Sequence, residues 1–149
     1  MSAMGSPAGP AHISVPRDVM AMDTPLSQTT YQLDTLLDRP ALIDEKAFTK
    51  LKFEITRARK PVFIIGDEAN DAIMSILSIA SAVDAKIIVT PHGKGLVSAY
   101  HPLFKGVVGF AGHDSAKQLL TDASVDLVVA IGARVGELSS NAWDTELLL

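Results

Sequence analysis

Pro61-Val62-Phe63-Ile64-Ile65-Gly66 decides how this chain is read. Its apolar residues run without polar alternation, opened by a proline and stopped by a glycine. That pattern fits a strand buried on both faces, as in a parallel sheet. Two more runs share it: Lys86-Ile87-Ile88-Val89-Thr90, and Asp126-Leu127-Val128-Val129-Ala130-Ile131, which Gly132 ends. Helical spacing fills the ground around them. Asp44 can cap a helix running to about Arg59, with Phe48, Leu51, Ile55 and Ala58 on one face. A second helix is predicted over 70–83, with Ile73, Ile76, Leu77, Ala80 and Val83 on one side. Its Ser75, Ser78 and Ser81 form another side, either solvated or in contact with a subunit. A short strand is expected near Val107-Val108. A third helix starts near Asp114, where Ser115 and Gln118 have capping-box spacing. A last helical stretch opens near Val135.

Strands alternating with helices predict an α/β fold, a doubly wound parallel sheet. Ligands of such sheets bind outside the carboxyl ends of the strands. Here those ends are Gly66-Asp67, Thr90-Pro91-His92-Gly93 and Gly132-Ala133-Arg134.

The flanks do not fit one compact domain. Residues 1–10 are rich in glycine and proline and read as a flexible lead-in. His12-Ile13-Ser14-Val15-Pro16 reads as a short strand with no partner nearby in sequence. Residues 17–43 are irregular, with Pro25 and Pro40, and too long for a loop inside a compact domain. The expected division is therefore a tail of a preceding domain over 1–20, a linker over 21–43 and a sheet domain over 44–149. The chain stops at Glu146-Leu-Leu-Leu149 without a closing strand, so the sheet is expected to have an open edge and to be truncated at both ends.

Composition excludes several functions. The chain has 149 residues, is 48% hydrophobic and carries a net charge of −4. Its cations are scattered, and the densest group, Arg57, Arg59 and Lys60, closes a predicted helix, where it complements the helix dipole. No nucleic-acid surface is expected. There is no cysteine, which removes thiol catalysis, disulfides and thiolate metal sites. No apolar run reaches the roughly 18 residues of a membrane span. The N-terminus lacks the charged and apolar regions of a signal peptide. A cytoplasmic protein is expected.

The segment Val89–Ala116 concentrates the possible chemistry. It holds Gly93, Gly95, Gly106, Gly109 and Gly112 of ten glycines, and His92, His101 and His113 of four histidines. Gly93-Lys94-Gly95 lacks the spacing and hydroxyl of a phosphate loop, and Ser98 stands where a dinucleotide fingerprint needs its third glycine. Asp67 and Glu68 place two acids at a strand-to-helix turn, where they would repel a pyrophosphate. The histidines have no metal-site spacing, and no serine stands in a nucleophile elbow. No catalytic or metal-binding residue is assigned.

The order of these motifs does resemble a known family. Thr90, Gly93-Lys94-Gly95, His101-Pro102 and the run Gly106, Gly109, Gly112 are similar to the central domain of acetolactate synthase-like, thiamine-diphosphate-dependent enzymes. Gly9–Met20 resembles the exit of that family's pyrimidine-binding domain, Ala58–Ala69 the opening of its central domain, and Asp126–Arg134 a later strand and turn. The resemblance implies a Rossmann-like central domain of a longer enzyme that decarboxylates or carboligates 2-oxo acids. It implies thiamine diphosphate and Mg2+ held by other domains of the same enzyme, and a homo-oligomer. Some relatives bind FAD or ADP in this domain. By motif match the nucleotide contacts would be Gly66, Lys94, Gly95, Gly109, Gly112, His113 and Arg134. Two other readings stand beside it: a free-standing nucleotide-binding module, and an interaction domain using the serine face and the open sheet edge.

Overall fold

A computed structural model describes residues 9–23 and 43–147. The chain divides into two compact units, Met1–Ile43 and Asp44–Leu149. Most of the expected linker lies outside the described residues. In the first unit, residues 11–16 form no strand: they are irregular and exposed, with Ile13 83% accessible. An isolated alternating segment has no ladder to join, and no described residue pairs with it. Pro16 instead precedes a single helical turn, α1 (Arg17–Met20).

The second unit is an α/β fold built on four parallel strands. α2 (Glu45–Arg57) begins where the Asp44 carboxylate accepts from the amides of Lys46 and Ala47, at 2.9 and 3.1 Å. That is the expected cap. Its apolar face is only lightly used: Ile55 packs on the core, while Phe48 and Leu51 are exposed. β1 (Pro61–Ile65) follows, then a 3-10 segment (Asp67–Ala72) and α3 (Ile73–Ala82). The predicted helix thus starts three residues late, after a tighter turn that brings Ala69 into the core. Ser75, Ser78 and Ser81 are exposed. β2 is Lys86–Val89 and β3 is Phe104–Val107. β3 lies earlier than expected because its register on β2 shifts between Ile87 and Ile88, and Gly106 takes a positive φ of 128°.

α4 (Asp114–Thr121) starts as predicted but without the capping box. His113 is its N-cap, and the Ser115 hydroxyl donates to the Lys105 carbonyl instead. β4 (Leu127–Ile131) ends the sheet. The helix expected from Val135 does not form. Residues 137–143 are turns and a 3-10 segment covers Thr145–Leu147. The Ser139 and Ser140 hydroxyls donate to the carbonyls of Arg134 and Gly136, and Asn141, Ala142 and Trp143 have positive φ. Such local bonds compete with a helix.

Strand order is β3-β2-β1-β4, every pair parallel, with Ile65 opposite Val89 on one side and Ile131 on the other. Alternation sorts the side chains onto two faces. Phe63, Ile65, Ile87 and Val89 meet α3 residues Ile76 and Ala80. Val62 and Ile88 meet α4 residues Ala116 and Leu120. β4 was expected to be buried on both faces, but it is an edge strand. α4 does not reach across it, and Val128 is 42% exposed. No helix among the described residues is long and apolar enough to cross a membrane.

The amino ends of β1 and β4 are tied by charge. The Asp126 carboxylate accepts from the amides of Arg59 and Lys60 at 2.7 and 2.9 Å, and the Lys60 ammonium donates to Asp122 at 2.6 Å. These bonds hold both carboxyls below the usual carboxylate range: Asp126 through the two amides, Asp122 first through Lys60 and then through Ser124. Such lowering adds stability that is fully present above the ordinary pKa of about 3.9. It fades as pH falls from there through the folded-state values. An acid titration followed by circular dichroism should show it. Asp126→Asn is expected to be less stable than wild type at pH 7 and to lose less stability on acidification. Parallel acid limbs would show that the ties contribute nothing.

Candidate functional site

The sheet changes winding direction between β1 and β4. β2 and β3 lie to one side of β1, and the chain then returns to place β4 on the other. In doubly wound sheets the crevice at the carboxyl ends of such a pair is the usual ligand position. Here it is formed by Gly66–Ala69 after β1 and Gly132–Arg134 after β4.

The two loops touch through their backbones. A Cβ at Gly66 would overlap the Gly132 carbonyl and the Ala133 Cα, and one at Gly132 would overlap the Ala69 amide. The Gly66 amide donates to Ile131 at 2.9 Å, the Glu68 amide to Gly132 at 3.2 Å, and the Ala69 amide back to Gly66 at 3.1 Å. Across the top, the Arg134 guanidinium donates to Asp67 at 3.0 Å and lies 3.6 Å from Glu68. Arg134 is the main cause of the lowered Asp67 pKa, with His92 a lesser one.

The other predicted contacts are spread along the glycine-rich segment. Gly109 adopts a φ of 96° and lies against Leu138 and Ser139, so that the Phe110 amide reaches the Leu138 carbonyl at 2.8 Å. Gly112 has no positive φ; a Cβ there would stand 2.5 Å from the Val107 carbonyl, so close approach is what favours glycine. His113 Nδ1 accepts from the Val107 amide at 2.9 Å while its own amide donates to Val107 at 2.8 Å. Its ring also lies over Gly106. Gly95 has a φ of 100° in open space, and Lys94 is exposed. Thus Gly66 and Arg134 come together, Gly109, Gly112 and His113 shape the β3–α4 connection, and Lys94 and Gly95 lie on a surface turn.

Gly109→Ala tests that assignment. The added methyl meets both an unfavourable φ and backbone, and about 2 kcal/mol of destabilisation is expected in urea unfolding. An unchanged midpoint would contradict the close packing of the 135–144 loop.

Sequence reasoning did not place the two acids beside Arg134. The one signal for that contact was the unusual Asp67-Glu68 pair itself. Two of the unit's grooves lie elsewhere. One of about 570 Å³ joins the end of α2 to the start of β4, and one of about 430 Å³ follows the free side of β4. None of the seven predicted contacts lines either. Among the described residues, no three acids and histidines gather as a metal site would require.

A four-stranded parallel sheet in the order 3-2-1-4, with glycine turns at its carboxyl edge, defines a Rossmann-like domain. The chain belongs to the thiamine pyrophosphate enzyme central domain family, whose profile matches residues 49–148. It is 28% identical to a probable acetolactate synthase large subunit of Methanocaldococcus jannaschii over 87% of its length. It is 29% identical to the sulfoacetaldehyde acetyltransferase of Rhodobacter capsulatus over 89%, and 26% identical to the pyruvate decarboxylase of Candida glabrata over 90%. The chain spans 22%, 22% and 24% of these relatives.

Proposed function

We propose that this chain serves as the structural central domain of a thiamine-diphosphate-dependent enzyme that decarboxylates or carboligates 2-oxo acids. The observation that carries the reading is the family match over 49–148, on a sheet whose strand ends carry no assembled catalytic group among the described residues. Thiamine diphosphate and Mg2+ are held, on this reading, by other domains of the same enzyme, in a cytoplasmic homo-oligomer. The relatives named above carry out different reactions by their names, so the particular 2-oxo acid is not assigned. Within the enzyme, this domain connects and spaces the parts that bind the cofactor.

The test is an assay of the natural polypeptide that carries residues 1–149, with thiamine diphosphate, Mg2+ and a panel of 2-oxo acids. Cofactor-dependent release of CO2 from at least one is expected. Residues 1–149 alone are expected to give none and to leave thiamine diphosphate unbound in equilibrium dialysis. No turnover by the natural polypeptide on any 2-oxo acid would overturn the enzyme reading. Turnover by residues 1–149 alone would overturn the structural role.

A further inference from the structure

The FAD or ADP that the sequence resemblance allows would lie at the switch point between β1 and β4. We infer that this crevice is closed to nucleotide, because Arg134, Asp67 and Glu68 form an internal clasp where a diphosphate would lie.

Three requirements of a diphosphate go unmet there. A pyrophosphate at a strand-to-helix turn is held by free backbone amides. Here the amides of Gly66, Glu68 and Ala69 all donate to carbonyls of the chain. The anion also needs positive charge. The guanidinium at hand is shared between two carboxylates, so the clasp carries a net charge of −1 before any anion arrives. Finally, the anion needs room. Gly66 and Gly132 lie in backbone contact, and neither tolerates even a methyl group.

The clasp is exposed, with the Arg134 side chain 60% accessible, so it adds little to stability. What it changes is occupancy. To seat a diphosphate, Arg134 would have to leave both acids, and the two carboxylates would then face the incoming anion directly. The inference stands apart from the 2-oxo acid reading and does not depend on it.

Titration of residues 1–149 with FAD and with ADP, each to 1 mM at low salt (about 10 mM), tests it. Flavin fluorescence, the melting temperature and amide chemical shifts are the readouts. The expected result is unquenched flavin, a melting temperature steady within 1 °C, and unmoved amides at 66–69 and 132–134. A saturable rise in melting temperature, with shifts at those amides that Arg134→Ala abolishes, would overturn the inference. The same shifts persisting in Arg134→Ala would overturn it too, because the crevice would then accept nucleotide without the guanidinium.

Discussion

Replacing Phe63 with alanine is expected to cost about 3–5 kcal/mol, the usual range for deleting a buried aromatic ring. Phe63 is 1% exposed and among the largest fully buried side chains. It lies in the middle of β1, one of the two strands with neighbours on both sides, and points at the face covered by α3. In a domain of this size the loss corresponds to a fall in melting temperature of more than about 10 °C. Circular dichroism on heating reads it directly. A fall of less than about 3 °C would mean that β1 is not the centre of the sheet.

Gly66→Val has the second large effect, for a different reason. The backbone at Gly66 is extended, with φ −104° and ψ 176°, so the substitution brings no conformational strain. The cost is collision. The new side chain meets the Gly132 carbonyl and the Ala133 Cα, which are main chain and cannot rotate away. β1 and β4 must separate at their carboxyl ends, and the bond from the Gly66 amide to Ile131 must break. About 3 kcal/mol or more of destabilisation is expected, at the upper end for overpacked sites. Gly136→Ala is the control. No atom lies within 4 Å of its added methyl group, and a change within about 0.5 kcal/mol is expected. Equal melting temperatures for the two variants would show that the loops do not touch.

The physics of strand burial explains which elements were legible in the sequence. β1 and β2 are covered on both faces, and their apolar runs say so without alternation. β3 was displaced in the reading because Lys105 and Gly106 interrupt it, and because a register shift on its neighbour leaves no trace in composition. β4 looks as buried as β1 in sequence yet lies at the edge, since neighbours and not residues decide exposure. The stretch after Val135 reads as helical in sequence, but the serine hydroxyls at 139 and 140 capture the backbone carbonyls that a helix would need.

The site was legible in position but not in role. Strand ends at Gly66 and Gly132 follow from where the apolar runs stop. The pairing of Arg134 with Asp67, sixty-seven residues apart, follows only from β4 being placed beside β1. The glycines of the 93–112 segment fit a connection crossing the carboxyl edge of the sheet. At Gly109 and Gly112 main chain passes close to main chain.

The carboxyl ends of β1 and β4 are sealed by their own backbone. Amide hydrogen exchange, read residue by residue in solution, tests this most directly. Gly66, Glu68 and Ala69 are expected to exchange slowly, within about tenfold of the β1 amides, with or without FAD or ADP. Exchange of these three amides at the rate of the exposed turn around Lys94 and Gly95 would contradict it.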